Sequence, residues 1–130
     1  MKKRILATSL LAAAAATSLV AQPPAPTPPN HVLVMLTVKP GITREQIAPV
    51  MSDEVKATVR LYLDGKIENW YGRADGKGVV FILNCTTTAE AQAMMDSLPL
   101  GRDHLADYAF TPIGPLAPLR LLAGPSPSHP

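Results

Sequence analysis

Proline sets the limits of what this 130-residue chain can fold. Residues Gln22 to Asn30, QPPAPTPPN, hold five of its fourteen prolines. Such a segment lacks the N–H groups of a sheet and the dihedral freedom of a helix interior, so it is expected to be an extended, partly polyproline linker. The tail from Ala123 to Pro130, AGPSPSHP, has the same make-up and is expected to be disordered. Regular structure is thereby confined to His31–Leu122, roughly ninety residues, which suffices for one domain with a modest core. A core of that size gains from a partner subunit.

Ahead of the linker, Met1 to Arg4 supply a positive start and Ile5 to Val20 an alanine-rich apolar run, too short for a good membrane span. Small residues at Ala16, Ser18 and Ala21 offer cleavage after Ala21 or after Ser18. Residues 1–21 therefore read as a signal peptide, and the protein is expected to be exported, to the periplasm or the medium. No cysteine follows the apolar run to accept a lipid anchor, so no stable membrane insertion is expected after cleavage. Lys2, Lys3 and Arg4 leave with the leader, and losing three cations takes the formal net charge from +2 to −1. The remaining Lys and Arg are interleaved with Asp and Glu along the chain, which excludes a basic stripe for nucleic acid.

Cys85 is the single cysteine, so no intramolecular disulfide is available and stability must come from packing or oligomerisation. It ends the apolar run GVVFILNC and reads first as a small buried side chain, with a reactive thiol or an intermolecular disulfide as the alternatives. No Cys/His spacing suggests zinc, no glycine-rich loop suggests phosphate, and no serine sits in a nucleophile-elbow context. No metal or cofactor is expected.

His31–Lys39, HVLVMLTVK, is a nearly continuous, β-branched run that suits a central strand, ended by Pro40-Gly41. Thr43 and Gln46 have capping-box spacing and open a helical turn, which Pro49 is expected to interrupt. A longer helix follows to Asp64, with Met51, Val55, Val59, Tyr62 and Leu63 on its expected buried face and Gly65 as its stop. Ile67–Arg73 and Gly78–Cys85 read as strands joined by Ala74-Asp75-Gly76-Lys77, whose Asp-Gly centre favours a type I′ hairpin. That turn pairs Trp70 with Phe81 and Tyr71 with Val80, and groups Glu68 with Trp70, Phe81 and Leu83 on one face. Thr87 and Glu90 open a second helix that buries Ala91, Met94, Met95 and Leu98 and stops at Pro99. Leu105–Ile113 is the last strand, with Pro112 placing it near an edge. The order β-α-β-β-α-β is that of the ferredoxin-like α+β fold, an antiparallel sheet with its helices on one face. The second sheet face is also apolar, and the expected solution is a homodimer burying well over ~1,000 Å². The apolar segment GPLAPLRLL is a candidate arm to the partner.

The segments LTVKPG (Leu36–Gly41), SDEVKATVRLYLDGKIENWYGRADG (Ser52–Gly76) and SLPLGRDHLADYAFTPI (Ser97–Ile113) resemble the muconolactone-isomerase-like branch of the dimeric α/β-barrel superfamily. The resemblance implies a small, cofactor-free domain whose dimer forms a barrel and holds a small organic ligand. It also implies proton transfer within a lactone, which needs a base near an activated C–H and a donor for the enolate-like oxygen. Glu54 matches the family's acidic position and is the first candidate base, against the plainer reading of a solvated carboxylate early in a helix. His104, beside Asp103 and Asp107, is either a second acid or base or a surface-loop histidine. Tyr71 and Trp70 lie on the strand where the family carries aromatic residues, as pocket lining or as core packing. Arg73 and Arg60 are candidates to hold a ligand carboxylate, and Lys39 to steer an anion, each against a solvated or structural role. In the family's first strand a histidine is expected, but His31 stands two residues early and Leu33 takes the polar position.

The expected function is thus an exported isomerase-like protein moving a proton on a small lactone or organic acid without a cofactor. The alternative is a dimeric module that binds such a ligand without turning it over. A third option is an accessory subunit.

Overall fold

Alternation in HVLVMLTV builds the centre of the molecule. Val32, Val34 and Leu36 are buried on one face of strand β1 (His31–Val38), and Leu33, Met35 and Thr37 lie on the other. These features belong to a computed structural model that describes residues 27–122. The leader-like segment, most of the proline-rich linker and the tail fall outside the described residues.

β1 pairs antiparallel with β3 (Gly78–Leu83) on one side and β4 (Ala106–Ile113) on the other, and β2 (Ile67–Gly72) extends the sheet beyond β3. The order is β2-β3-β1-β4. Helix α1 (Arg44–Leu63) packs over β2, and helix α2 (Thr88–Ser97) over β4 and β1, on the face that carries Val34 and Phe81. Met95 and Leu98 from α2 complete the core with Ile67 and Leu83. This is the ferredoxin-like α+β arrangement, with helices on one face of a four-stranded antiparallel sheet. Pro112 lies on the edge strand β4, where its missing N–H costs no ladder bond on the outer side.

The helix ends follow the sequence closely. The Gln46 side chain accepts the Thr43 N–H at 2.8 Å at the start of α1. At its end Gly65 takes φ +71°, Lys66 N–H donates to Leu61 C=O and Gly65 N–H to Tyr62 C=O, which is a Schellman stop. Thr87 Oγ1 accepts the Glu90 N–H and so caps α2.

Four local expectations are corrected. Pro49 does not interrupt α1, which runs through it; the bond lost is to Glu45 C=O, and both residues are exposed, so water takes the carbonyl. The buried face of α1 is not Met51, Val55, Val59, Tyr62 and Leu63, which are 38–76% exposed. It is Ile47, Val50, Glu54, Thr58 and Leu61, one residue round the helix. Two apolar stripes compete on this helix, and the packed one tolerates Glu54 because its carboxylate has a buried partner. The β2–β3 turn is not type I′, since Asp75 lacks the positive φ that type requires; Gly76 alone has it, at +69°, after an Arg73–Gly76 turn. The pairs Trp70 with Phe81 and Tyr71 with Val80 stand as expected. Glu68 does not share the core face, because a bulge between Ile67 and Asn69 sets Ile67 opposite Leu83 and buries it. An isoleucine replaces a carboxylate in the core, and Glu68 instead pairs with His31 Nε2 at the surface.

After α2 the chain forms a further short helix, α3 (Pro99–Arg102), which sequence reading gives as loop. Pro99 is preorganised for its first position. A last turn, α4 (Leu119–Leu122), follows β4.

Candidate functional site

The site is built where α1 crosses the sheet near α3. Glu54, midway along α1, faces inward and is only 5% exposed. Its Oε2 accepts the Leu100 N–H at 2.8 Å. That N–H lies in the first turn of α3 and has no partner within the helix, so the carboxylate satisfies an orphan donor. One turn on, the Thr58 hydroxyl donates to the Glu54 carbonyl at 2.8 Å, which turns a second polar group inward without leaving it unpaired.

Around Glu54 lies a cavity of about 150 Å³, walled by Leu36, Phe81, Val79, Leu100 and Trp70. A cavity of this size takes a single six-membered ring. Among the described residues its only ionisable lining residue is Glu54. Burial pushes the Glu54 carboxyl above its ordinary value, and the Leu100 N–H holds it back in part. Met51, Val55 and Val59 form the outer lip, and Trp70 stands at the mouth with its ring edge to face against Tyr62, 4.7 Å between centroids. Tyr108, opposite Leu36 on β4, has its phenol oxygen buried with no hydrogen-bond partner among the described residues. Burial first, then the charges of Glu54 and Asp96, push that phenol strongly upward, so it stays neutral.

Of the sequence-predicted site residues, the fold brings Glu54 and Trp70 together on this cavity. His104 is exposed and does not line it. It takes φ +55° at the C′ position of α3, where its N–H donates to Gly101 C=O and the Leu105 N–H to Leu100 C=O. Tyr71 lies opposite Val80 on the open face of the sheet, 59% exposed. Arg73 reaches across the sheet, donating from Nη1 to Thr37 Oγ1 at 2.9 Å and pairing through Nη2 with Asp75. Arg60 is exposed in the last turn of α1. Lys39 lies just past β1, 3.9 Å from Asp107, on a different cleft. Sequence reading sets Glu54 in line with Thr58 and Leu61 but gives Thr58 no role, and it passes over Leu100 and Tyr108. The Thr58 spacing of four from Glu54 was available as a signal; the role of Leu100 is its backbone N–H, which no residue type announces.

Among the described residues no group of three or more His, Cys, Asp or Glu is placed to hold a metal ion. Among them, too, no helix is long and apolar enough to cross a membrane.

Fold and site together define a ferredoxin-like α+β domain with one buried carboxyl in a ring-sized apolar cavity. No family model and no curated protein matches the chain. Among solved structures, it is similar to 5-chloro-2-hydroxyhydroquinone dehydrochlorinase from Burkholderia phenoliruptrix AC1100 in complex with 2,5-dihydroxybenzoquinone, at 15% identity and a TM-score of 0.47, over 65% of this chain and 93% of that one.

Proposed function

We propose that this protein is an isomerase-like catalyst that moves a proton on a small lactone, without a cofactor, with Glu54 as the proton carrier. The observation that carries the reading is a single buried carboxyl with raised proton affinity facing an apolar cavity of ring size. A carboxylate in such surroundings is a stronger base than in water, and once protonated it stays poised to return the proton to a second carbon on the same face. The cavity favours a neutral lactone over an organic acid, because Glu54 repels an anion there and Arg60, Arg73 and Lys39 all lie outside. The leader-like residues 1–21 support an exported location, and the apolar open face of the sheet supports a homodimer.

One observation favours a second reading, a binding module with no reaction. The Leu100 N–H and the Thr58 hydroxyl, the two donors beside the carboxylate, are both already donated to Glu54, so neither is free for an enolate oxygen. In that reading protonated Glu54 donates to a ligand carbonyl and Trp70 closes the mouth. The experiment is proton–deuterium exchange followed by NMR on a panel of unsaturated lactones and short organic acids, with wild type and Glu54→Gln. Exchange that depends on Glu54 and rises with pH as the carboxyl ionises supports catalysis. Line broadening without exchange supports binding, and silence on both counts defeats both readings.

A further inference from the structure

We propose that the cleft between the end of β1, the start of α1 and the β2–β3 hairpin binds a small carboxylate-bearing molecule with an apolar body. Two segments distant in sequence bring three cations to this cleft: Lys39 just past β1 and Arg44 as the first residue of α1, on either side of one short turn, and Lys77 from the hairpin. The distance of Lys77 from the other two along the chain hides the grouping from a reading of charge by position. The fold holds it in place, since Val38 N–H donates to Lys77 C=O, Lys39 N–H to Leu105 C=O and Ile42 N–H to Lys39 C=O. Gly41, at φ +83°, makes the turn that swings Arg44 back over the strand end.

The cleft has a volume of about 560 Å³, within the range of small-molecule sites and larger than the Glu54 cavity. Among the described residues none that lines it is acidic. The nearest carboxylates are spoken for or distant: Asp75 is held by Arg73 and by the Lys77 N–H, and Asp107 reaches Lys39 only at 3.9 Å. The positive end of the 20-residue α1 adds to the field, offset in part by Glu45 in its first turn. Between the cations the wall is apolar, made of Val38, Ile42 and Ile47, all half-buried. A hydrated inorganic anion leaves that wall in water; a carboxylate on an aryl or alkyl body covers it while its charge meets the cations. The site is independent of Glu54 and of the reaction proposed there.

The test is an amide-resolved NMR titration of the full chain with 4-phenylbutyrate, beside the neutral 4-phenylbutanol and inorganic phosphate. Expected are saturable shifts with 4-phenylbutyrate at Thr37–Ile42 and Gly76–Lys77, retained in Glu54→Gln. Affinity should fall roughly two- to fivefold for each of Lys39→Gln, Arg44→Gln and Lys77→Gln, and fall again on raising NaCl from about 0.05 to about 0.5 M. The proposal is overturned if no saturable shift appears by about 10 mM, or if the alcohol shifts these amides equally, since charge is then not read. It is also overturned if phosphate binds as well as 4-phenylbutyrate, since the apolar wall then contributes nothing.

Discussion

Glu54 carries two tasks that pull in opposite directions. It satisfies the Leu100 N–H, which favours keeping an acceptor there, and it places a carboxyl among apolar walls, which disfavours its charge. Burial raises its folded pKa above the unfolded value, so the folded state holds the proton more tightly. The stability this contributes is present below the ordinary value of 4.5 and is lost as pH rises through the folded pKa. Glu54→Gln keeps an acceptor and removes the charge, so its melting temperature should equal or exceed wild type at neutral pH, with the gap shrinking toward about pH 4. Thermal unfolding across that range checks this, and a glutamine variant less stable than wild type at pH 7 would show that the charged form is the one the fold needs. Glu54→Ala strands the buried N–H and should be about 1–3 kcal/mol less stable than Glu54→Gln. His104 poses a different question, since it occupies a left-handed position that glycine takes without strain. His104→Gly should gain up to about 1 kcal/mol in urea unfolding and leave binding or turnover at the Glu54 cavity unchanged. A lost activity in a stabilised His104→Gly protein would return the histidine to the chemistry.

Among the elements, α3 is the piece that makes the site, and its closeness to α2 depends on Gly101. A Cβ there would lie 2.2 Å from the Met95 carbonyl oxygen, which backbone cannot yield without moving the helix. Gly101→Ala should therefore cost more than about 2 kcal/mol and draw the Leu100 N–H away from Glu54, raising that carboxyl further; chemical denaturation and a carbon-detected NMR titration of Glu54 report the two effects separately. At the β2 bulge, Ile67→Ala should cost about 2–5 kcal/mol as a core deletion and Glu68→Ala well under 1 kcal/mol, the reverse of what an unbroken register predicts. Strand and helix order is legible in the sequence because period, caps and stops act locally: Gly65, Thr87 and the Trp70–Phe81 register all fall where residue type puts them. The phase of α1 is not legible, because Ile47, Val50 and Leu61 make one apolar stripe and Met51, Val55 and Val59 another, and only contact with α3 and the sheet chooses between them. The bulge escapes for the same reason, since Ile67 and Glu68 exchange faces through a backbone irregularity that no residue type there marks. Glu54 was legible as a candidate, whereas the donor that holds it is a backbone group delivered by a helix of four residues.

At the scale of the molecule, the open face of the sheet remains to be accounted for. The helices cover Val32, Val34 and Phe81 and leave Leu33, Met35, Val80, Ile82 and Tyr71 on the opposite side, with Met35 40% and Tyr71 59% exposed. A contiguous apolar patch on a central strand and its neighbour is uncommon on a monomer, and without an internal disulfide the small core has no other staple. Two sheets packed face to face would bury this patch against its own copy by a two-fold operation, the self-complementary solution open to any chain. Such a dimer should bury on the order of 1,200 Å² or more and persist at micromolar concentration. Met35→Glu places a charge at the middle of that interface and leaves the helix-side core untouched, so it should convert the protein to a folded monomer. Sedimentation equilibrium with circular dichroism measures both parts. A wild-type monomer would remove the face-to-face dimer outright. A Met35→Glu protein that stays dimeric would move the interface to the other exposed stripe, Met51, Val55 and Val59 on α1, and so to the lip of the Glu54 cavity, where a partner would control what enters.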